Sequence, residues 1–184
     1  MKKIIGILLP ILFLTSCVNS KESEIENPNE IWTESELVEL NSLVAEFDRI
    51  LISEYKSESK TKAYVEFSNS VFNDMAIPDL KEYDKISSDA KKLKVFDKIW
   101  QTNTDSITNK DYFNLKYNSN YQKYLKAIGE NSELIKDYAD KFENWGDIAP
   151  SVIGGYSRNI EKIDLNNKTN RLIFAIHYIT LINR

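Results

Sequence analysis

From residue 31 onward the apolar positions recur every three or four residues, the spacing that places side chains on one face of a helix. Leu37, Leu40, Val44, Phe47 and Leu51 form the first stripe, widened by Leu43 and Ile50. Thr33 and Glu36 make a capping box ahead of it, with Trp32 and Leu37 at the two staple positions. The pattern predicts a helix to about Tyr55 or Lys56, then a polar stretch over 57–62. Tyr64, Phe67, Val71, Phe72 and Met75 predict a second helix, or the far half of one long bent helix. It ends before Pro78, because the residue ahead of a proline is pushed out of helical geometry.

Pro78 suits the first turn of a third helix marked by Leu80, Tyr83 and Ile86. Ser87, Ser88 and Asp89 interrupt that stripe, and Ala90, Leu93, Phe96, Ile99 and Trp100 complete it. Residues 101–110 show no apolar period and read as a loop, with Ile107 alone to bury. Residues 111–116 read as a helical turn or a loop. Tyr117, Tyr121, Tyr124, Leu125 and Ile128 predict a helix ended by Gly129. Leu134, Ile135, Tyr138, Ala139, Phe142 and Trp145 predict the next, ended by Gly146. Asp147 is placed to cap the one after, with Pro150 in its first turn and Gly154-Gly155 inside it. Two adjacent glycines weaken a helix by about 1 kcal/mol each, so they imply a kink, a helix pair or a close-packed backbone. Residues 171–184 are apolar on nearly every side, which predicts a buried helix and leaves a buried strand as the alternative. The expected fold is all-α: an irregular bundle of about six to eight helices around this apolar C-terminal helix.

The residues before 31 have a different character. Lys2 and Lys3 precede an apolar run, Ile4 to Leu14, and Leu14-Thr15-Ser16-Cys17 follows. That layout is an export signal, too short to span a bilayer. Leu14-Thr15-Ser16-Cys17 resembles the lipobox of bacterial lipoproteins. The resemblance implies a signal peptide over 1–16, a lipid anchor on Cys17 as first mature residue, and a membrane partner reached through that anchor. It also implies a cell-envelope location, at the outer membrane facing the periplasm or at the cell surface. Val18 after the cysteine is similar to lipoproteins released to the outer membrane, and Lys21-Glu22-Ser23-Glu24 is similar to acidic surface-export stretches. Ordinary cleavage and a retained signal-anchor are the alternatives. Polar residues 17–30 read as a flexible tether, leaving 31–184 as one helical domain.

Charge and chemistry narrow the function. The chain has 184 residues and a formal net charge of −4, with no basic cluster, so nucleic acid is not an expected partner. Cys17 is the single cysteine and His177 the single histidine, which leaves no set for a zinc site. A satisfied core histidine is the first reading of His177, and a general base or ligand the second. Asn103, Asp105 and Asp111 share a polar stretch but lack the glycine and closing glutamate of a calcium loop. Ser57 with Lys60, Ser59 with Lys62 and Ser88 with Lys91 each satisfy S-x-x-K, without the companion motifs of penicillin-recognising enzymes. No catalytic residue, metal or cofactor is expected.

The aromatic residues are more suggestive. Tyr112, Tyr117, Tyr121 and Tyr124 are denser than a core needs. Packing in the core is the first reading; the second is a groove that they line with Trp145 and Tyr156, near the turn that carries Asp147 and the Gly154-Gly155 pair. The expected function is a lipid-anchored module that binds a protein or envelope component in an adaptor, accessory or toxin-neutralising role. Alternatives are an envelope hydrolase using carboxylates or His177, and a carrier with an aromatic pocket for a small ligand.

Overall fold

A computed structural model describes residues 23–184; Cys17 and the signal before it lie outside the described residues. The fold is all-α apart from one small hairpin. Eight α-helices are described: α1 (Glu34–Tyr55), α2 (Lys60–Asp74), α3 (Tyr83–Ala90), α4 (Phe96–Ile99), α5 (Asn120–Gly129), α6 (Glu133–Trp145), α7 (Pro150–Arg158) and α8 (Lys168–Ile182). Strands β1 (Trp100–Thr104) and β2 (Asp111–Leu115) lie between α4 and α5.

Helix α8 is the central post. Every residue from Arg171 to Thr180 is buried, as expected of a segment apolar on all sides. Phe174 stacks with Phe47 of α1, Tyr64 and Phe67 of α2 and Tyr156 of α7. The one charge on this stretch is Arg171, whose guanidinium lies 3.1 Å from buried Asp48 of α1 and donates to the carbonyl of Leu165. Asp48 also accepts from Tyr64 Oη at 2.7 Å. A buried charge pair of this kind is tolerable only with its remaining hydrogen bonds filled.

Local signals explain most of the boundaries. The capping box of α1 forms, with Glu36 accepting from Thr33 N and Thr33 Oγ1 accepting from Glu36 N. Lys56 in the left-handed region ends α1, so α1 and α2 are two helices and not one bent rod. Ser59, Ser119, Ser132 and Asn167 each cap a helix by accepting an N–H with the side chain. Gly129 is the last residue of α5 and a contact point as well. A Cβ there would come within 2.9 Å of the Lys136 backbone, so its absence lets α6 lie close against α5.

Four expectations are corrected. Residues 100–115 form an antiparallel hairpin in the register Trp100 with Leu115 and Thr102 with Phe113, not a helix end and loop. Trp100, Phe113 and Leu115 are buried, while Ile107 at the tip is exposed. The third helix starts at Tyr83, not Pro78, and runs through Ser87–Asp89 unbroken. Pro150 does open α7, but its N-cap is Ala149, and Asp147 caps nothing there. Finally, the chain is packed from Ser23, not from Ile31. Ile25 is buried, Glu26 N donates to Thr169 Oγ1 at 2.8 Å, and Asn27 exchanges hydrogen bonds with the Trp32 backbone.

Candidate functional site

The two ends of α8 are chemically unlike. At its N-terminal end the chain enters the fold: Ser23 Oγ accepts from Lys168 N at 3.0 Å and donates to the Asn166 carbonyl. Its C-terminal end lies about 22 Å away, at 1.5 Å per residue. There Arg184 pairs with Asp147 and donates to the carbonyl of Ile148, tying the α6–α7 turn to the end of the post.

Five of the six exposed large apolar side chains among the described residues lie in three places on segments that lead to or from that second end. Phe72 of the last turn of α2 and Met75, its C-cap, are 43% and 82% exposed, Tyr117 46%, Trp145 71% and Ile107 89%. Trp145 precedes Gly146, where an added Cβ would lie 4.0 Å from the Tyr117 ring. Ile107 sits on the hairpin tip, which shares an open polar cleft with Asp84, Asp147 and Arg184. Phe72 and Met75 face Pro150, Ile153 and Gly154 of α7 across a groove of about 180 Å³. Val38 is the remaining exposed large apolar residue, one turn before Asn41, which binds Lys168 at the opposite end.

The expected site residues divide between this surface and the core. Tyr117, Trp145 and Asp147 are on the surface at the α8 C-terminal end. Gly154 faces the α2–α7 groove, and Gly155 faces a smaller cleft of about 80 Å³ between α6 and α7. Tyr121, Tyr124 and Tyr156 are core residues, so for these three the core reading holds and the groove reading does not. Tyr124 packs on Trp32 at 5.6 Å and stacks with Tyr121 at 6.5 Å. Tyr156 packs between Tyr138 and Phe174. Burial pushes all three phenols well up, so they stay neutral. Phe72 and Met75 are surface residues that the second stripe had assigned to the core. Val71 and Phe72 are adjacent, 100° apart on a helix, so one of them must leave the buried face.

His177 is fully buried inside a ring of aromatics. Its Nδ1 is 3.1 Å from Tyr138 Oη, and the rings of Tyr178, Tyr156 and Tyr138 lie 4.6, 5.1 and 5.6 Å away. Burial pushes the imidazole down to about 3, and the charge of Arg184 adds to the effect. No carboxylate is hydrogen-bonded to it among the described residues, so it lacks the orienting partner that a general base uses. The S-x-x-K serines have local duties instead: Ser59 caps α2 and Ser57 Oγ donates to the Ser59 carbonyl. Asp105 accepts from the N–H groups of Ile107 and Thr108 and shapes the hairpin tip. No group of histidine, cysteine and carboxylate side chains suited to a metal ion occurs among the described residues.

No helix among the described residues is long and apolar enough to cross a membrane. No family model, curated protein or solved structure matches the chain, so a functional reading has to come from these surfaces themselves.

Proposed function

We propose that this chain is a lipid-anchored envelope protein whose helical domain binds a protein or envelope component with the end of the bundle around the α8 C terminus. The observation that carries the proposal is the opposition of the two ends. The chain enters beside Lys168, while Trp145 stands next to the turn that Arg184 holds through Asp147, and the hairpin that carries exposed Ile107 shares a cleft with Arg184. Single exposed apolar residues are ordinary, but a gathering of them marks an interaction surface. An anchor on Cys17 makes the opposition meaningful. Only five residues lie between Cys17 and Ser23, so the two are at most about 22 Å apart. The entry end then faces the bilayer, and the apolar end faces away from it, toward whatever the module meets. Location at the outer membrane, or display at the surface, follows from the same anchor. Burial of His177 without a carboxylate favours binding over hydrolysis.

Fractionation and photo-crosslinking test this reading. Cys17→Ser should move the chain out of the membrane fraction. A photo-crosslinking residue at Trp145 should yield a discrete adduct in cells, and one at Val38 should not. Membrane retention of Cys17→Ser, or equal adducts at both positions, would overturn it.

A further inference from the structure

We propose that the entry strap, residues 23–27, is a latch that opens while the rest of the domain stays folded, and so gives the anchored domain two reaches from the bilayer. The reach rests on the lipid-anchor reading above; the latch rests on the fold alone.

The closed latch is held at the N-terminal end of α8. Lys168 is the first residue of that helix, so its N–H has no acceptor within the helix, and Ser23 Oγ accepts it at 3.0 Å. Glu26 N donates to Thr169 Oγ1 at 2.8 Å, and Asn167 Nδ2 donates to Glu26 Oε1 at 3.1 Å. Ile25 is the one strap side chain that is buried. The attachment is thus a single apolar side chain and a few hydrogen bonds at the edge of the fold. A segment attached so thinly opens at a lower free energy than the core.

The hinge works against closure. Between the strap and α1, Asn29 and Glu30 both lie in the left-handed region, at φ 55° and 50°. Asparagine tolerates that region, but a glutamate is disfavoured there by its Cβ. Both residues are exposed, so their return to ordinary backbone disturbs no packing. Closure keeps them in place, because Asn27 exchanges hydrogen bonds with the Trp32 backbone across them, at 2.8 and 3.0 Å.

The two helices beside the latch keep their own caps without it. The capping box of α1 uses Thr33 and Glu36, beyond the hinge. Asn167 caps α8 by accepting from Thr169 N at 2.8 Å. Opening therefore stops at the hinge. Closed, the fold begins at Ser23, at most about 22 Å from Cys17. Open, it begins at Trp32, fifteen positions from Cys17, and the span rises to about 54 Å. A closed latch keeps the domain near the bilayer, and a partner held farther out draws it open.

Native-state hydrogen exchange on the full lipidated chain in zwitterionic nanodiscs tests the latch. The amides of Glu26 and Lys168 are bonded across it. They should share one protection factor, at least a hundredfold below that of Phe174 at the centre of α8, with little dependence on denaturant. Glu30→Gly relieves the left-handed backbone and should raise protection of both at least threefold, while Glu30→Gln, which keeps the Cβ, should not. Ile25→Ala should lower it at least tenfold without moving Phe174. Energy transfer from a dye on Asp140→Cys to an acceptor in the headgroups reads the height. A low-transfer population should grow in Ile25→Ala and shrink in Glu30→Gly. The proposal is overturned if Glu26 is as protected as Phe174, or if Glu30→Gly changes neither amide. It is also overturned if Lys168 exchanges tenfold more freely than Glu26, as in fraying from the end. The two reaches are overturned if transfer ignores these variants in a chain that Cys17→Ser releases from the membrane. Should the amides respond as expected while Cys17→Ser stays with the membrane, the anchor reading falls and the latch stands.

Discussion

Tyr138 Oη meets His177 Nδ1 at 3.1 Å, and no carboxylate is hydrogen-bonded to that imidazole among the described residues. The pair fixes the ring, and burial keeps it uncharged, with its proton affinity pushed down to about 3. An unfolded chain binds that proton near pH 6.5, so the folded state loses relative stability as pH falls from there toward 3. Above pH 6.5 the term vanishes. Glu46, held down to about 2 by hydrogen bonds from Arg49 and then Lys85, acts in a separate window. Its contribution is present above about pH 4.5 and is lost below. Between pH 6.5 and 5 the histidine term therefore dominates, at roughly 1.5 to 2 kcal/mol. Urea midpoints should fall over that interval, and His177→Gln should flatten the fall. An unchanged slope in His177→Gln would place the proton elsewhere.

Removing Asp48 should be far more damaging than removing any surface acid. Its carboxylate is shared by the Arg171 guanidinium, Tyr64 Oη and Lys60 Nζ. Asp48→Ala takes the Asp48 carboxylate from Arg171, only 1% exposed, at a cost of about 3 kcal/mol. The exposed pair of Asp137 and Lys141 is the control, and Asp137→Ala should change stability by less than about 1 kcal/mol. Chemical denaturation of the two variants compares them directly. Similar midpoints would mean that Arg171 finds equivalent partners.

The contrast between these two acids was beyond the reach of sequence. Asp48 has the same helical neighbours as any wet-face residue, and only the arrival of Arg171, more than a hundred positions later, buries it. The helices themselves were legible because each carries its own cue. Thr33 and Glu36 announce α1, and the unbroken apolar run of α8 announces a buried post. The hairpin was not, because β1 buries only Trp100 and shows no alternation. Its other anchor is the bond from Trp100 Nε1 to Thr180 Oγ1, eighty residues away. Tyr121 and Tyr124 were legible as core from their spacing with Leu125 and Ile128, although the number of tyrosines alone also suggested a surface. Of the candidate site, Trp145, Asp147 and the two glycines were visible as a cluster of unusual residues, whereas Phe72 and Met75 joined them only through folding.

Trp145 offers a direct optical check of the exposed end. It is the accessible member of three tryptophans, Trp32 and Trp100 being buried. A neutral collisional quencher should reach it alone. Trp145→Phe should abolish most of the quenchable emission and shift the remainder to the blue. Because the Trp145 side chain is exposed and makes no hydrogen bond or ion pair among the described residues, stability should move by no more than about 0.5 kcal/mol. Quenching that persists in the variant would mean that one of the other indoles is reachable.

The four interior glycines should respond to alanine in opposite directions. Gly146 ends α6 at φ +67°, where a side chain costs about 1 kcal/mol, so Gly146→Ala should destabilise. Gly129→Ala drives a Cβ to 2.9 Å from the Lys136 backbone and should cost about 1 to 3 kcal/mol as α5 and α6 separate. Gly154→Ala and Gly155→Ala meet open space in an unstrained helix. Each should stabilise by about 0.4 to 1 kcal/mol, mainly by restricting the unfolded chain. At this domain size that is a rise of roughly 1 to 4 °C in melting temperature. Thermal unfolding of the four variants decides the matter. Should Gly154→Ala or Gly155→Ala melt below the parent, the space over that glycine is smaller than 4 Å of clearance implies.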